Sequence, residues 1–427
     1  MSVPLPGRRN RRCPPLSKYI LKCITCSREF LPDEIEYTCP NCGERKGTLE
    51  VVYDFSIIRK RPPVTLPELE RDGIWAFDYL LPFEGEYFRP NLMVGNTPLY
   101  ESKVLSRKYG VAEVFVKDDG RNPTASFKDR ASAVAVAKAV EKGFSTVFCA
   151  STGNAASSLS GFAAVSGLKS VIFVPATSPI AKLTQLQVYG SRVLAIEASY
   201  DRAFDLSMET GISMGWYCRN SAINPYLLEG KKTCAMELAV QLQSTPLDYV
   251  FVSAGDGTVL ASFHKGFSDL RESGAINVIP RIVGVQASGS AAIKMTFERG
   301  EPFEPIDIEA SSVADSICVG KPRDVIKACR YTKENEGIII DVSDREILES
   351  IVELARETGV FAEPAGATAF AGFKKLSRAG LLTPEARVGI IVTGNGLKDL
   401  KSASLVLPEL KKLPPDKNIV KEVSGED

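Results

Sequence analysis

Thr146-Val147-Phe148-Cys149-Ala150-Ser151-Thr152-Gly153-Asn154-Ala155-Ala156 runs from a continuous strand-like stretch through a short polar turn into a helix that reaches Ser166. A strand that lacks apolar/polar alternation is one covered on both faces, as parallel strands are. The same grammar repeats on either side. Strands are expected at 113–117, 146–150, 170–175 and 192–197, with helices at 127–142, 155–166, 180–189 and 200–214. A second series follows, with strands at 249–252, 281–286, 337–342 and 388–393 and helices near 258–272, 344–358 and 366–378. The pattern predicts an α/β protein with two doubly wound α/β domains, whose ligands bind at strand C-termini near the crevice between them.

The bulk properties agree with a globular enzyme. The chain has 427 residues, 44% of them apolar, with 33 Gly and 26 Pro. Its 52 Lys and Arg equal its 52 Asp and Glu, so no overall field draws it to nucleic acid or an anionic membrane. The basic cluster Arg8, Arg9, Arg11 and Arg12 lies in a Pro-rich stretch read as a flexible tail over 1–18. No stretch has the make-up of a signal peptide or the ~20 apolar residues of a membrane span, so a cytoplasmic protein is expected. The segment after Lys412, 413–427, reads as a loose tail.

Ten cysteines raise the question of disulfides or metal, and their clustering bears on it. Cys23-Ile24-Thr25-Cys26 and Cys39-Pro40-Asn41-Cys42 form two C-x2-C knuckles, each followed by a turn-forming residue, Ser27 or Gly43. Four thiolates at this spacing suit a tetrahedral, closed and therefore structural Zn2+ site; a redox pair is the alternative. A zinc ribbon is thus expected at 19–50, followed by an N-terminal arm at 51–94. The other cysteines stand singly in apolar surroundings.

Three turns look chemical. Ser151-Thr152-Gly153-Asn154 offers hydroxyls and free N–H groups at a helix N-terminus, a seat for a carboxylate or phosphate, although the same residues also make an ordinary cap. Ser253-Ala254-Gly255-Asp256-Gly257-Thr258 repeats the arrangement ahead of a helix beginning at Val259 and suits a phosphate. Asp256 is out of place beside an anion, so its side chain is expected to turn away or to cap the loop. The loop lacks both the dinucleotide and P-loop signatures. Val392-Thr393-Gly394-Asn395 ends the last strand with a hydroxyl toward the crevice, or as a plain turn. Lys128, in Asn122-Pro123-Thr124-Ala125-Ser126-Phe127-Lys128-Asp129-Arg130, sits in the mouth of a strand-to-helix turn.

Together these segments resemble the fold-type II pyridoxal-phosphate enzymes, the tryptophan synthase β group, and within it most of all the threonine synthases. Gly95-Asn96-Thr97-Pro98-Leu99, Asn224-Pro225-Tyr226, Glu229-Gly230, Glu363-Pro364-Ala365-Gly366-Ala367 and Thr393-Gly394-Asn395-Gly396-Leu397-Lys398-Asp399 extend the likeness over nearly the whole chain. The resemblance implies pyridoxal 5'-phosphate as cofactor and Lys128 as its Schiff-base lysine, with Phe127 against the ring. It implies that Asn154 bonds the ring 3-hydroxyl, that Ser151, Thr152 and Gly153 hold the substrate carboxylate, and that Gly255, Asp256, Gly257, Thr258 and Val259 grip the cofactor phosphate. Thr393 would meet the pyridine nitrogen, which a hydroxyl leaves unprotonated, favouring elimination and replacement over transamination. Lys182 is the lysine assigned to substrate phosphate.

The implied reaction converts O-phosphohomoserine and water to threonine and phosphate; a threonine/serine dehydratase, or a β-replacement enzyme acting on a serine derivative, is the alternative. The small domain is expected at 95–228 and the large one at 229–412, with a homodimer and a small amino-acid substrate implied by the family. Two departures bear on the substrate. Leu227 stands where many threonine synthases have an arginine, and Asp256, Thr258 and Asn395 replace the family's usual residues.

Overall fold

The computed structural model describes residues 18–58, 61–83, 87–178, 180–243, 245–410, 412–415 and 418–419. The basic cluster at 8–12, most of the tail after 413 and the side chain of Lys182 lie outside the described residues.

Tyr19–Cys23 (β1), Glu29–Phe30 (β2) and Leu49–Tyr53 (β3) form an antiparallel sheet of order β2-β1-β3. In β1 and β3 alternate residues are buried, so one face of this small sheet packs on the rest of the protein. Both knuckles close by backbone bonds, Ser27 N–H to Cys23 O at 3.0 Å and Gly43 N–H to Cys39 O at 2.9 Å. Ser27 and Gly43 take φ of 59° and 68°, and the four Sγ atoms come within 4.8 Å of one another.

The α/β body follows in chain order. Its first part contains Leu99–Glu101 (β4), Glu113–Asp118 (β5), Lys128–Glu141 (α1), Thr146–Ala150 (β6), Asn154–Val165 (α2), Lys169–Pro175 (β7), Ile180–Val188 (α3), Arg192–Ile196 (β8), Tyr200–Ser213 (α4), Tyr217–Cys218 (β9) and Tyr226–Gln241 (α5). Its second part contains Tyr249–Ser253 (β10), Thr258–Ser273 (α6), Arg281–Ala287 (β11), Ala292–Arg299 (α7), Val325–Glu334 (α8), Ile338–Val342 (β12), Asp344–Thr358 (α9), Pro364–Arg378 (α10) and Arg387–Val392 (β13).

Two sheets result. The larger has the order β12-β11-β10-β13-β5-β4 and is parallel except for β4, which runs antiparallel along the edge. The smaller has the order β8-β7-β6-β9 and is parallel throughout. Both are covered on two faces, as unbroken apolar strands require. In β10, Val250 and Val252 pack with Phe263 and Leu238, whereas Phe251 packs with Phe370 and Phe373 on the opposite side. In β6, Val147 and Cys149 face Leu159 and Phe162, and Phe148 faces Phe204 and Met208.

Pairing departs from sequence order at one point that matters for the site. β5 is bonded along its whole length to β13, from Glu113↔Arg387 to Asp118↔Val392, so this strand of the 95–228 segment belongs to the six-stranded sheet. Lys128 follows from that strand. Helix α5, not foreseen from the sequence, packs against α1, and its Gly230 is the contact point. A Cβ on Gly230 would lie 2.1 Å from the carbonyl oxygen of Arg130, so only glycine lets the two helices approach this closely.

Candidate active site

Lys128 is the first residue of α1, and the turn before it is fixed from several directions. Phe127 N–H donates to Thr393 O at 2.9 Å and Asn395 N–H donates to Ala125 O at 3.1 Å, so the turn is stitched to the one that ends β13. Ala125 takes a left-handed φ of 65° to make the bend. Asp129, buried, accepts from the Thr124 N–H at 2.6 Å and from the Thr124 hydroxyl. Arg130, fully buried, bonds Asp119 and Glu237 at 2.6 Å each, and Glu237 also holds Lys117 at 2.9 Å. Such a network is costly to break, because each lost partner strands a buried charge. Lys128 is therefore presented by a rigid base.

Its side chain lines a cavity of ≈ 620 Å³ between the two sheets, with Ser151, Asn154, Arg219, Asp256 and Arg323 also on the wall. Burial, helped by the nearby Arg219 guanidinium, pushes the Lys128 amine down to about 8, while Asp256 and Glu363 pull the other way. An amine poised near neutrality is the form that attacks a carbonyl or takes a proton.

Around Lys128 the three turns singled out in the sequence converge, although not all of their residues reach the cavity. Ser151, Thr152, Gly153 and Asn154 line it where β6 gives way to α2, whose N-cap, Gly153, makes no side-chain bond to the helix end. The amide nitrogen of Asn154 donates to Glu363 Oε1 at 2.8 Å. Glu363 is itself buried at the start of α10, and that burial holds its carboxyl above the usual range.

In the 255–259 loop, Asp256 lines the cavity and its Oδ1 accepts from the Arg323 N–H at 2.8 Å, so the carboxylate caps a neighbouring loop. Gly257, at φ 96°, turns the chain into α6, where the buried Thr258 hydroxyl has no hydrogen-bond partner. A Cβ on Gly255 would lie 2.7 Å from Ile317 Cα, which keeps that position bare. An orphan hydroxyl beside the free N–H groups of a 16-residue helix suits an anion.

Thr393 is half-buried and tied to Phe127 through its carbonyl. Phe127 itself is not among the cavity's described lining residues. Its ring stacks on Phe263 of α6, centroids 6.1 Å apart at 18°, as part of the large sheet's core. The apolar residue beside the lysine thus anchors the turn to the large sheet. Arg219, Arg323 and Glu363 were given no role by the sequence reading. Glu363 lies within one of the matching segments, whereas Arg219 and Arg323 sit in irregular stretches with no motif to mark them.

The residues present fit pyridoxal phosphate. Lys128 is a poised amine in a cavity of suitable size, and the partnerless Thr258 hydroxyl with the α6 N-terminus suits its phosphate.

Comparison with known proteins points the same way. The family described as pyridoxal-phosphate dependent enzyme matches residues 91–394. Threonine synthase of Methanocaldococcus jannaschii is 36% identical over 407 residues, covering 95% of this chain and 99% of that one. Threonine synthase of Methanosarcina acetivorans is 36% identical over 384 residues, covering 89% and 92%. Among solved structures, threonine deaminase isoform 2 of Solanum lycopersicum superposes with a TM-score of 0.63 at 19% identity, over 81% of this chain and 96% of that one. At that identity the superposition speaks to fold alone.

Proposed function

From the premise that the chain belongs to the pyridoxal-phosphate dependent enzymes, and among them to the threonine synthases, we propose that it converts O-phosphohomoserine and water to threonine and phosphate. The observation that carries this reading is the 36% identity to a threonine synthase over 99% of that protein's length. In the net reaction the Cγ–O bond breaks and phosphate leaves, a proton lost from Cβ is balanced by one gained at Cγ, and water gives its hydroxyl to Cβ and its remaining proton to the departing phosphate.

When bound, the cofactor supplies an electron sink that stabilises negative charge at Cα. The chain's own residues do the rest. Lys128 holds the cofactor and is the base that takes and returns protons, helped by surroundings that keep its amine near neutrality. Asn154 would bond the cofactor's 3-hydroxyl, Gly255, Asp256, Gly257, Thr258 and Val259 with the α6 N-terminus would hold its phosphate, and Thr393 would meet its ring nitrogen. Ser151, Thr152 and Gly153 orient the substrate carboxylate through the α2 N-terminus.

The four cysteines take one structural Zn2+. Tetrahedral Zn–S bonds of about 2.3 Å put sulfurs about 3.8 Å apart, and Cys26 and Cys39 already stand at 3.8 Å. We also take the enzyme to be a cytoplasmic homodimer. Its ribbon spans 19–50 and its arm 51–94, and its two α/β units are 95–228 and 229–412, with β5 lent to the sheet of the second.

The test is direct. Purified protein with pyridoxal phosphate should release phosphate and threonine in equal amounts from O-phosphohomoserine. Release of 2-oxobutyrate from threonine without that activity, or replacement of phosphate on O-phosphoserine by sulfide or sulfite, would assign it instead to the dehydratases or the β-replacement enzymes. Metal analysis should find one zinc per chain, and a folded, metal-free protein would count against the ribbon site.

A further inference from the structure

The described chain buries cations in company. Lys117, Arg130, Lys138, Lys232, Lys265, Lys327 and Lys374 are all buried, and each lies within 4.0 Å of an Asp or Glu oxygen. Two fully enclosed cations break the pattern. Arg219 is 0% exposed and Lys231 1%, and neither has a carboxylate at ion-pairing distance among the described residues. Both neighbour the half-buried Lys128, whose amine likewise has no carboxylate at that distance among the described residues. An enclosed guanidinium without a counter-ion is costly, and the cost is recovered only when an anion arrives.

Arg219 is built to meet one. Its Nε donates to Ser132 Oγ at 3.0 Å and its Nη2 to the Lys128 carbonyl at 3.4 Å, which orients the group beside the reacting lysine. Its Nη1 has no partner, and the residue lines the main cavity. The Arg219 N–H donates to Phe148 O at 2.8 Å, which puts the residue at the end of β9, next to β6 and the Ser151 turn. The cradle ahead of α6 belongs to the other sheet.

The assignment follows from counting anions. The cofactor phosphate has the α6 cradle and the substrate carboxylate has the α2 N-terminus. One anion, the phosphate at the substrate's Cγ, remains; of the Lys and Arg side chains lining the cavity besides Lys128, Lys321 lies 3.9 Å from Asp201 and the Arg323 guanidinium stacks on the Phe204 ring, which leaves Arg219. The first turn of α5 cannot supply a cation, since Leu227 is fully buried in the apolar core. Lys231 lies one turn further along α5. It is surrounded by Lys128, Arg219, Asp256 and Asp324, and burial followed by the two like charges holds its amine well below the ordinary lysine range.

We propose that Arg219 binds the departing phosphate of the substrate, with the Lys231 amine behind it. A guanidinium matches phosphate oxygens two at a time and stabilises the charge that builds on the leaving group. The proposal rests on the O-phosphohomoserine reading and deepens it.

The experiment uses holoenzyme carrying Arg219→Gln, Arg219→Lys or Lys231→Gln. Removing one partner of an enclosed charge pair should raise KM for O-phosphohomoserine, and Ki for inorganic phosphate, about 30- to 100-fold in Arg219→Gln. Arg219→Lys should fall in between, and Lys231→Gln should weaken both about 5- to 10-fold. Binding of L-homoserine, which lacks the phosphate, read from the cofactor's visible absorbance, should stay within about twofold of wild type. Unchanged phosphate Ki, or an equal loss for homoserine and phosphohomoserine, overturns the proposal. If Arg219→Gln does not fold or load cofactor, the phosphate-to-homoserine selectivity of Arg219→Lys decides in its place. If wild type makes no threonine, the functional reading fails, and calorimetry of inorganic phosphate on wild type and Arg219→Lys still decides whether Arg219 is a phosphate ligand.

Discussion

Replacing Lys128 with methionine should make the cofactor-free protein more stable at neutral pH, although it removes the residue on which activity depends. Methionine keeps the length and the apolar stem and removes only the charge. Burial and Arg219 bring the amine from 10.5 to about 8 in the folded protein. At 1.36 kcal/mol for each tenfold change in proton affinity, this is a cost of about 3 kcal/mol for carrying the charged amine in the fold.

The sign follows from the two states. Below pH 8 the amine is protonated whether the chain is folded or not, so the cost is fully present. Between pH 8 and 10.5 only the folded form gives up its proton, so the cost fades and wild-type stability rises with pH. Above 10.5 it is gone. Urea unfolding of both cofactor-free proteins, from pH 6.5 to pH 10.5, should give Lys128→Met a midpoint roughly 0.5–1 M higher at the acid end, with the gap closing at the alkaline end. A gap that is absent, or the same at both ends, would refute the claim that the site strains its lysine toward neutrality.

Three further outcomes follow from the same site. Thr258→Val removes the orphan hydroxyl of the α6 cradle and should weaken cofactor binding about tenfold by absorbance titration, with little change in unfolding midpoint, since no protein partner is lost. Asp256→Asn keeps an oxygen to accept the Arg323 N–H but removes a negative charge from the phosphate loop. It should tighten cofactor binding about fivefold, and weaker binding would mean that the carboxylate does more than cap the loop. Gly230→Ala drives a methyl against the Arg130 carbonyl and should cost about 3 kcal/mol in urea unfolding while loosening the cofactor; a full-strength variant would show that α1 yields more readily than its ion pairs suggest.

The alternation from residue 113 onward reveals the α/β body because its strands are enclosed and its outer helices amphipathic. It does not reveal which strands pair. β5 joins β13 across an interval of 274 residues, and no local pattern encodes a partner so distant. Helix α5 escaped the reading for a different reason. Glu229, Lys231, Lys232 and Glu237 are all buried in it, so its inside is charged and no apolar stripe stands out. β9 has two residues, too few to carry a period. At the site, turn chemistry marked Lys128, the Ser151 and Gly255 turns and Thr393, because each lies where a strand ends or a helix starts. Arg219 carried no such mark. Its significance lies in having no carboxylate counter-ion among the described residues, a property of the assembled fold that no stretch of sequence displays.

The small antiparallel sheet at the N-terminus bears on how this protein should be handled. The matching family region starts at residue 91, which invites trimming everything before it. Yet Tyr53 of β3 donates its hydroxyl to Glu229 at 2.6 Å, and Glu229 is held by Lys232, which also grips Asp269, itself bonded to Lys265. The ring of Tyr53 also roofs Lys232, 4.3 Å from its centroid. A chain cut at residue 91 would keep every group around Lys128 and still expose the charged underside of α5, the helix on which α1 rests. The boundary of the folding unit is therefore drawn by these ion pairs and lies upstream of the boundary of recognisable kinship, so a catalytic core excised by homology should arrive insoluble or empty of cofactor.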